Sequence, residues 1–527
     1  MIRSNRPFTR TFFEFEGNDI GEIHDVFAPF TPVELEGRTV AVVDRRYTLN
    51  PQGLFERVVA KDRELLAEPM RLVVELADGR QVEWKPAGRA GGVAGRATHP
   101  GTAVFECAAR GDGLGLESRV TIEEDGCAKV EMQLGPDATG GKKVAIRRAW
   151  LRMALKESEA PLCHMVGLNS MRHNYAGHVP RGGTITWINQ PWRPARFEVA
   201  AFDGPPPDEY EVWDGRQQMH WGSEFWNFTP YVWLGAEERG LAWFGDHTAG
   251  YETDGQRGIQ RLRIEPGKVV LHVELIQQPV TLDAPRTFVF GLQGSPTKPM
   301  MDGWRGYAVP GGGGMSVVVW GGYNCASHYP DPKDWRIVEK IVSARDPEVN
   351  KNVWKGPFKE FFETLDTQRQ FPGIKVLGRE DWLKNVLGFA SRSRRSPNGI
   401  TVYYEEFQTS GLHPETYEYM DEWDLGSWCR FRKFNFEGKP YPDSRGWGPE
   451  ARTANQESWR DFAVYYADEW MKRGVGIYYD NTMPHTDFNR FTLRDPGVDW
   501  QSCLWGHRDY FRRVWKRSRE LMAKGLT

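Results

Sequence analysis

Two patterns of apolar and polar residues divide the chain. Ahead of residue 300, short runs alternate with period two, most cleanly in Lys129-Val130-Glu131-Met132-Gln133-Leu134. Such alternation marks a strand with one wet and one buried face. Residues 70–76, 102–106, 116–122, 128–134, 184–188 and 196–201 read the same way, separated by turns rich in Gly, Pro and Asp. Residues 225–235 and 237–247 predict a hairpin turning at 236–240, with aromatics alternating along both arms. Strands at 259–264 and 269–276 follow, then a closing strand at 286–293. No long helical period occurs in this half, so residues 1–300 are expected to form a large antiparallel β-sandwich region, as one sandwich or two.

Beyond residue 300 the pattern changes. Met315-Ser316-Val317-Val318-Val319-Trp320-Gly321 is a continuous apolar run, the mark of a strand covered on both faces. Amphipathic helices are predicted at 380–391, 459–473 and 507–524, with a further helical stretch at 414–423. Two short strands, Ile400-Thr401-Val402-Tyr403-Tyr404-Glu405-Glu406 and Val475-Gly476-Ile477-Tyr478-Tyr479-Asp480-Asn481, each deliver two tyrosines and then acids. Strand and helix in alternation argue for parallel βα units. The expectation for residues 301–527 is therefore a (β/α)8-type (TIM-like) barrel carrying the catalytic machinery. Such barrels need about 250 residues, and only 227 follow residue 300 in this 527-residue chain. The barrel is expected to be reduced or incomplete at the C-terminus.

The net charge of −3 with mixed signs gives no field for holding nucleic acid. Six scattered cysteines without a CxxC pair predict neither a zinc site nor a disulfide framework, although Cys107 and Cys127 leave one bridge open between neighbouring strands. No signal-type apolar segment and no run of about 18 apolar residues occurs, so no membrane span is expected and the compartment is left open. A homo-oligomer is not indicated. The 22 Trp, 18 Tyr and 28 Phe fill β cores, and they also serve as flat platforms for sugars.

Strand ends at the C-terminal edge of a parallel sheet are where chemistry gathers. Glu405, Glu406 and Asp480 are the acids best placed for it. Glycoside hydrolysis needs one protonated carboxyl at the leaving oxygen and a second carboxylate as base, nucleophile or orienting group. Neighbouring like charges push one pKa up while the other acid stays ionised. Consecutive strand residues face opposite ways, so Glu405 and Glu406 share one cleft only where the strand ends or bulges. Asn481, Tyr404, Tyr479, His413, His485, Trp423 and Trp243 are the candidates for binding sugar hydroxyls or stacking on a ring. Each has a plainer alternative in core packing, capping or turn formation. No ligand spacing points to a metal, and no cofactor is expected. Asp468 reads as helix surface, and Arg508, Arg512, Arg513, Lys516, Arg517 and Arg519 as a solvated helix face.

Pro230-Tyr231-Val232-Trp233-Leu234-Gly235, Glu237-Glu238-Arg239-Gly240-Leu241, Thr297-Lys298-Pro299 and Gly476-Ile477-Tyr478-Tyr479-Asp480-Asn481 occur in an order that resembles the glycoside hydrolase 123-like proteins, over about residues 200–525 and more loosely ahead of them. The resemblance implies a β-sandwich before a (β/α)8-type domain that cleaves glycosidic bonds. In that family an adjacent Asp-Glu pair works with the substrate's own 2-acetamido group: the Asp orients the acetamide and the Glu is the general acid. The matching positions are Glu405 and Glu406, with Glu405 standing where the pattern has Asp. The implied function is a retaining glycoside hydrolase acting on an oligo- or polysaccharide. The rival is a non-catalytic carbohydrate-binding or scaffold protein that keeps the fold.

Overall fold

The structure is a computed structural model. It describes residues 13–88, 90–137, 143–166, 175–179, 184–190, 193–200, 228–254, 259–300, 317–320, 400–406, 409–410, 419, 422–423, 450–451, 454–472, 474, 476–480, 486–487 and 501–526. The chain divides into two compact units. One comprises His24–Trp304 and Met483–Leu504, the other Met1–Ile23, Arg305–Thr482 and Trp505–Thr527.

In the first unit the described residues form a ten-stranded and a seven-stranded antiparallel sheet, with a five-stranded meander from Glu34–Glu36 to Arg63–Glu64. The centre of the ten-stranded sheet runs Arg239–Phe244, Arg286–Ser295, Cys127–Pro136, Leu114–Glu123, Thr102–Gly111. The seven-stranded sheet is built on Val144–Lys156, flanked by Lys268–Ile276 and Arg71–Leu76. Period-two alternation supplies the inner faces. Phe105, Val120, Val130, Phe288 and Phe290 from one sheet join Leu72, Val74, Leu151, Leu271 and Val273 from the other in a single buried cluster. Each such side chain contributes about 1.5–3 kcal/mol by leaving water. The meander adds Tyr47 and Phe55 to the same cluster, their rings stacked at 4.6 Å. The expected hairpin is present, with Tyr231–Ala236 paired to Arg239–Phe244.

The bridge left open between Cys107 and Cys127 does not form. The strand Leu114–Glu123 lies between theirs, and both cysteines are buried outside any disulfide.

In the second unit the strands Val317–Trp320, Ile400–Glu406 and Gly476–Asp480 form a parallel three-stranded sheet. The helices Glu457–Met471 and Leu504–Ala523 agree with two of the expected helices to within three residues at either end. The helix expected at 380–391 lies outside the described residues, as does most of 414–423. The expected (β/α)8 (TIM) barrel is not found. Among the described residues the sheets are open, and none curls or closes on itself. The periodicity reports parallel βα units, but closure depends on how many strands pair edge to edge, which local pattern does not encode.

The basic stripe of the last helix is also corrected. Arg513 and Lys516 are buried, at 3% and 1% exposure. Arg513 donates to Asp461 Oδ1 at 2.7 Å and to the carbonyls of Asn18 and Ile20 at 2.9 Å each, and Lys516 donates to the Ile23 carbonyl at 2.7 Å. The segment 13–23 thereby becomes part of the helix packing. Gly21, at φ +76°, lies so close to Arg513 that an added Cβ would collide with its carbonyl. Asp468 is likewise buried, not surface, and accepts from Arg517 Nε at 2.6 Å.

Candidate active site

The helix Glu457–Met471 ends at a turn in which Gly474, at φ +73°, donates to the Met471 carbonyl. A left-handed glycine is the usual way to leave a helix, and it delivers the chain directly into Gly476–Asp480. That strand lies beside Ile400–Glu406 in parallel register, pairing Tyr403 with Ile477, Tyr404 with Tyr478, Glu405 with Tyr479 and Glu406 with Asp480. Trp320 pairs with Tyr403 on the other side. The positions paired at the ends of these neighbouring strands are therefore 406 and 480, with 405 one position back.

Tyr479 is half-buried and occupied. Its hydroxyl lies 2.8 Å from that of Tyr510, and its ring meets Tyr510 and Phe511 edge-on at centroid distances of 5.7 and 4.9 Å. The face carrying Tyr479 is thus the one covered by the last helix. Tyr510 escaped the sequence reading, although it lies one residue before Phe511 on the apolar stripe expected there.

Trp423 and Trp243 are filled-in core. Trp423 is 1% exposed, stacked on Tyr419 at 4.8 Å, packed on Phe462, and donates from Nε1 to Ser458 Oγ at 3.0 Å. Trp243 is also 1% exposed, within the sandwich, with its ring against Phe228. Neither offers a ring face to a sugar, because each indole is already enclosed by its own unit's core. His247, in the loop after the hairpin, accepts from the Ala249 amide at Nδ1, 3.1 Å away. Asn481, His413 and His485 lie outside the described residues. Among the described residues no group of three or more His, Cys, Asp or Glu is placed to hold a metal ion. No described helix is long and apolar enough to cross a membrane.

Comparison with known proteins gives one family. Residues 33–251 match the family described as glycoside hydrolase 123, third domain. The match falls largely on the sandwich, ahead of most of the stretch that carried the resemblance in the sequence. No curated protein matches the chain. Among solved structures, a putative aldose 1-epimerase from Escherichia coli K12 aligns over 50% of this chain and 99% of its own, at 9% identity and a TM-score of 0.26. The Slr1438 protein from Synechocystis sp. PCC 6803 aligns over 52% and 98%, at 7% identity and a TM-score of 0.27. At those scores neither likeness carries an argument.

Proposed function

We propose that this chain, glycoside hydrolase 123-like over residues 33–251, is a glycosidase whose acids come from the ends of two neighbouring parallel strands. The family match supports action on carbohydrate, and the register Glu406↔Asp480 supports the choice of acids. Neighbouring strands lie about 4.8 Å apart, so carboxyls at paired end positions fall near the 5–9 Å range that glycosidic chemistry uses.

Alternation distributes the positions. Glu405 is in register with Tyr479, whose ring is packed on the last helix. The positions of Glu406 and Asp480 belong to the other face of the sheet. In this reading Glu406 is the general acid that protonates the leaving oxygen, and Asp480 is the carboxylate that orients the reacting group or activates water. Glu405 holds the strand end. Tyr404 and Tyr478 lie two positions back on the face shared by Glu406 and Asp480, where a phenol can donate to a sugar oxygen. Asn481, His413 and His485 follow these strand ends in sequence and are the proposed hydroxyl-binding residues.

A panel of aryl glycosides with and without a 2-acetamido group tests the reading. Release of the aryl alcohol from at least one member, abolished in Asp480→Asn, supports it. Failure of the entire panel, with glycan binding retained, would instead favour the non-catalytic carbohydrate-binding protein.

A further inference from the structure

The outward face of the ten-stranded sheet holds an open cleft of about 540 Å³, within the range of about 300–1,000 Å³ common to small-molecule sites. Register sets its floor as two rows. Thr287, Gln133 and Glu117 lie side by side on three strands, and two residues along, Glu131, Arg119 and Glu106 do the same. Their chain neighbours Phe105, Val120, Val130 and Phe288 point into the core. Alternation therefore sends these six side chains out from the opposite face.

Small residues end the cleft. Ala108 continues the first row beside Glu117, and Ala94 the second beside Glu106. Gly92 lies so close to Ala108 that an added Cβ would come 2.6 Å from its carbonyl oxygen. None of the three extends past Cβ, which leaves room next to the acids.

The lining decides what fits. Arg119 donates to Glu106 at 2.9 Å, and Lys129 reaches Glu131 at 3.5 Å. Glu117, Gln133 and Thr287 form no side-chain hydrogen bond or ion pair with another described residue. In one row they offer a carboxylate acceptor, then an amide and a hydroxyl that each donate and accept. Three lining glutamates against one arginine repel an acidic ligand. Among the described residues no aromatic ring lines the cleft, and its glutamates are not grouped to hold a metal ion.

We propose that this cleft binds a neutral sugar through its hydroxyls. Adjacent hydroxyls of one ring donate to the two Glu117 oxygens, while Gln133 and Thr287 donate to and accept from the oxygens beyond. The cleft is carried by the first unit, whereas the strand ends at 406 and 480 belong to the second. The inference does not rest on the hydrolase reading.

Saturation-transfer NMR titration of the full chain tests it, because hydrogen bonds without an aromatic platform give weak affinity. The probes are glucose, galactose, N-acetylglucosamine, cellobiose and glucuronic acid, with calcium chloride titrated separately. Saturable binding of at least one neutral probe is expected, with glucuronic acid excluded. That binding should weaken at least tenfold in Ala108→Tyr, which fills the cleft, and in Glu117→Ala combined with Gln133→Ala. All three positions lie on the outward face, and an unchanged melting temperature verifies that each variant is folded. Any turnover of aryl glycosides should be unaltered in these variants, which separates this site from the acids at 406 and 480. No saturable binding by any neutral probe, or equal binding by wild type and both folded variants, overturns the proposal. So does binding of calcium alone, lost with Glu117, which would make the cleft a cation site.

Discussion

The hydroxyls of Tyr479 and Tyr510 lie 2.8 Å apart. This contact ties one face of the parallel sheet to the last helix. Tyr479 is one residue from Asp480 and in register with Glu405. Alternation along paired strands therefore puts position 405 on the face that carries Tyr479, and positions 406 and 480 on the other.

Removing one hydroxyl should loosen the tie without emptying the packing. Tyr510→Phe keeps both edge-on ring contacts and deletes one hydrogen bond, worth about 0.5–1.5 kcal/mol. Urea unfolding should show a loss of that size with an unchanged m-value. A neutral result would place the bond outside the stabilising contacts of this unit.

Arg513 predicts a larger effect. Its guanidinium is buried against Asp461 and binds the segment 13–23, and burial pushes the Asp461 carboxyl up while Arg513 opposes that shift. Arg513→Leu leaves Asp461 buried without its cation, at a cost of about 3–5 kcal/mol. Arg513→Leu combined with Asp461→Leu should recover much of that loss, because an apolar pair needs no counter-charge. Chemical denaturation of the single and double variants checks this. A double variant no more stable than the single one would contradict it.

Glu68 sets a pH dependence in the sandwich. Burial alone would raise its pKa, but hydrogen bonds from Lys268 and Arg152 hold it down from 4.5 to about 2. The stability this group contributes is therefore fully present above about pH 4.5, and is lost as pH falls toward 2. Glu265 and Glu159 are depressed in the same direction by Arg152 and by Arg239 with Arg63. Thermal unfolding followed from pH 6 to pH 2 should show the melting temperature falling through that window. Glu68→Gln should flatten the fall and cost about 1–3 kcal/mol at neutral pH. An equally steep decline in the variant would assign the acid sensitivity elsewhere.

Much of the sandwich was legible in the sequence, because alternation is a local property. The pattern in Lys129-Val130-Glu131-Met132-Gln133-Leu134 returns as half-buried or exposed positions alternating with buried ones. The same locality explains the errors. Arg513 and Asp468 look like surface residues because their partners, Ile20 and Asn18 for one and Arg517 for the other, are remote in sequence or on another helix. The barrel expectation failed for a related reason, since helical and strand periods specify units and not closure. For the candidate site, the sequence marked the acidic strand ends, whereas the pairing of 406 with 480 required the register.

In the proposed mechanism position 406, and not 405, carries the general acid. Its most direct test is kcat/KM on an aryl glycoside with a poor leaving group, for Glu406→Gln and Glu405→Gln in parallel. General acid catalysis contributes about 10²–10⁴-fold. A loss of that order is expected in Glu406→Gln, reduced sharply on a substrate whose leaving group needs no proton, with a change of less than about tenfold in Glu405→Gln. Near-wild-type activity in Glu406→Gln, or a larger loss in Glu405→Gln, would contradict it.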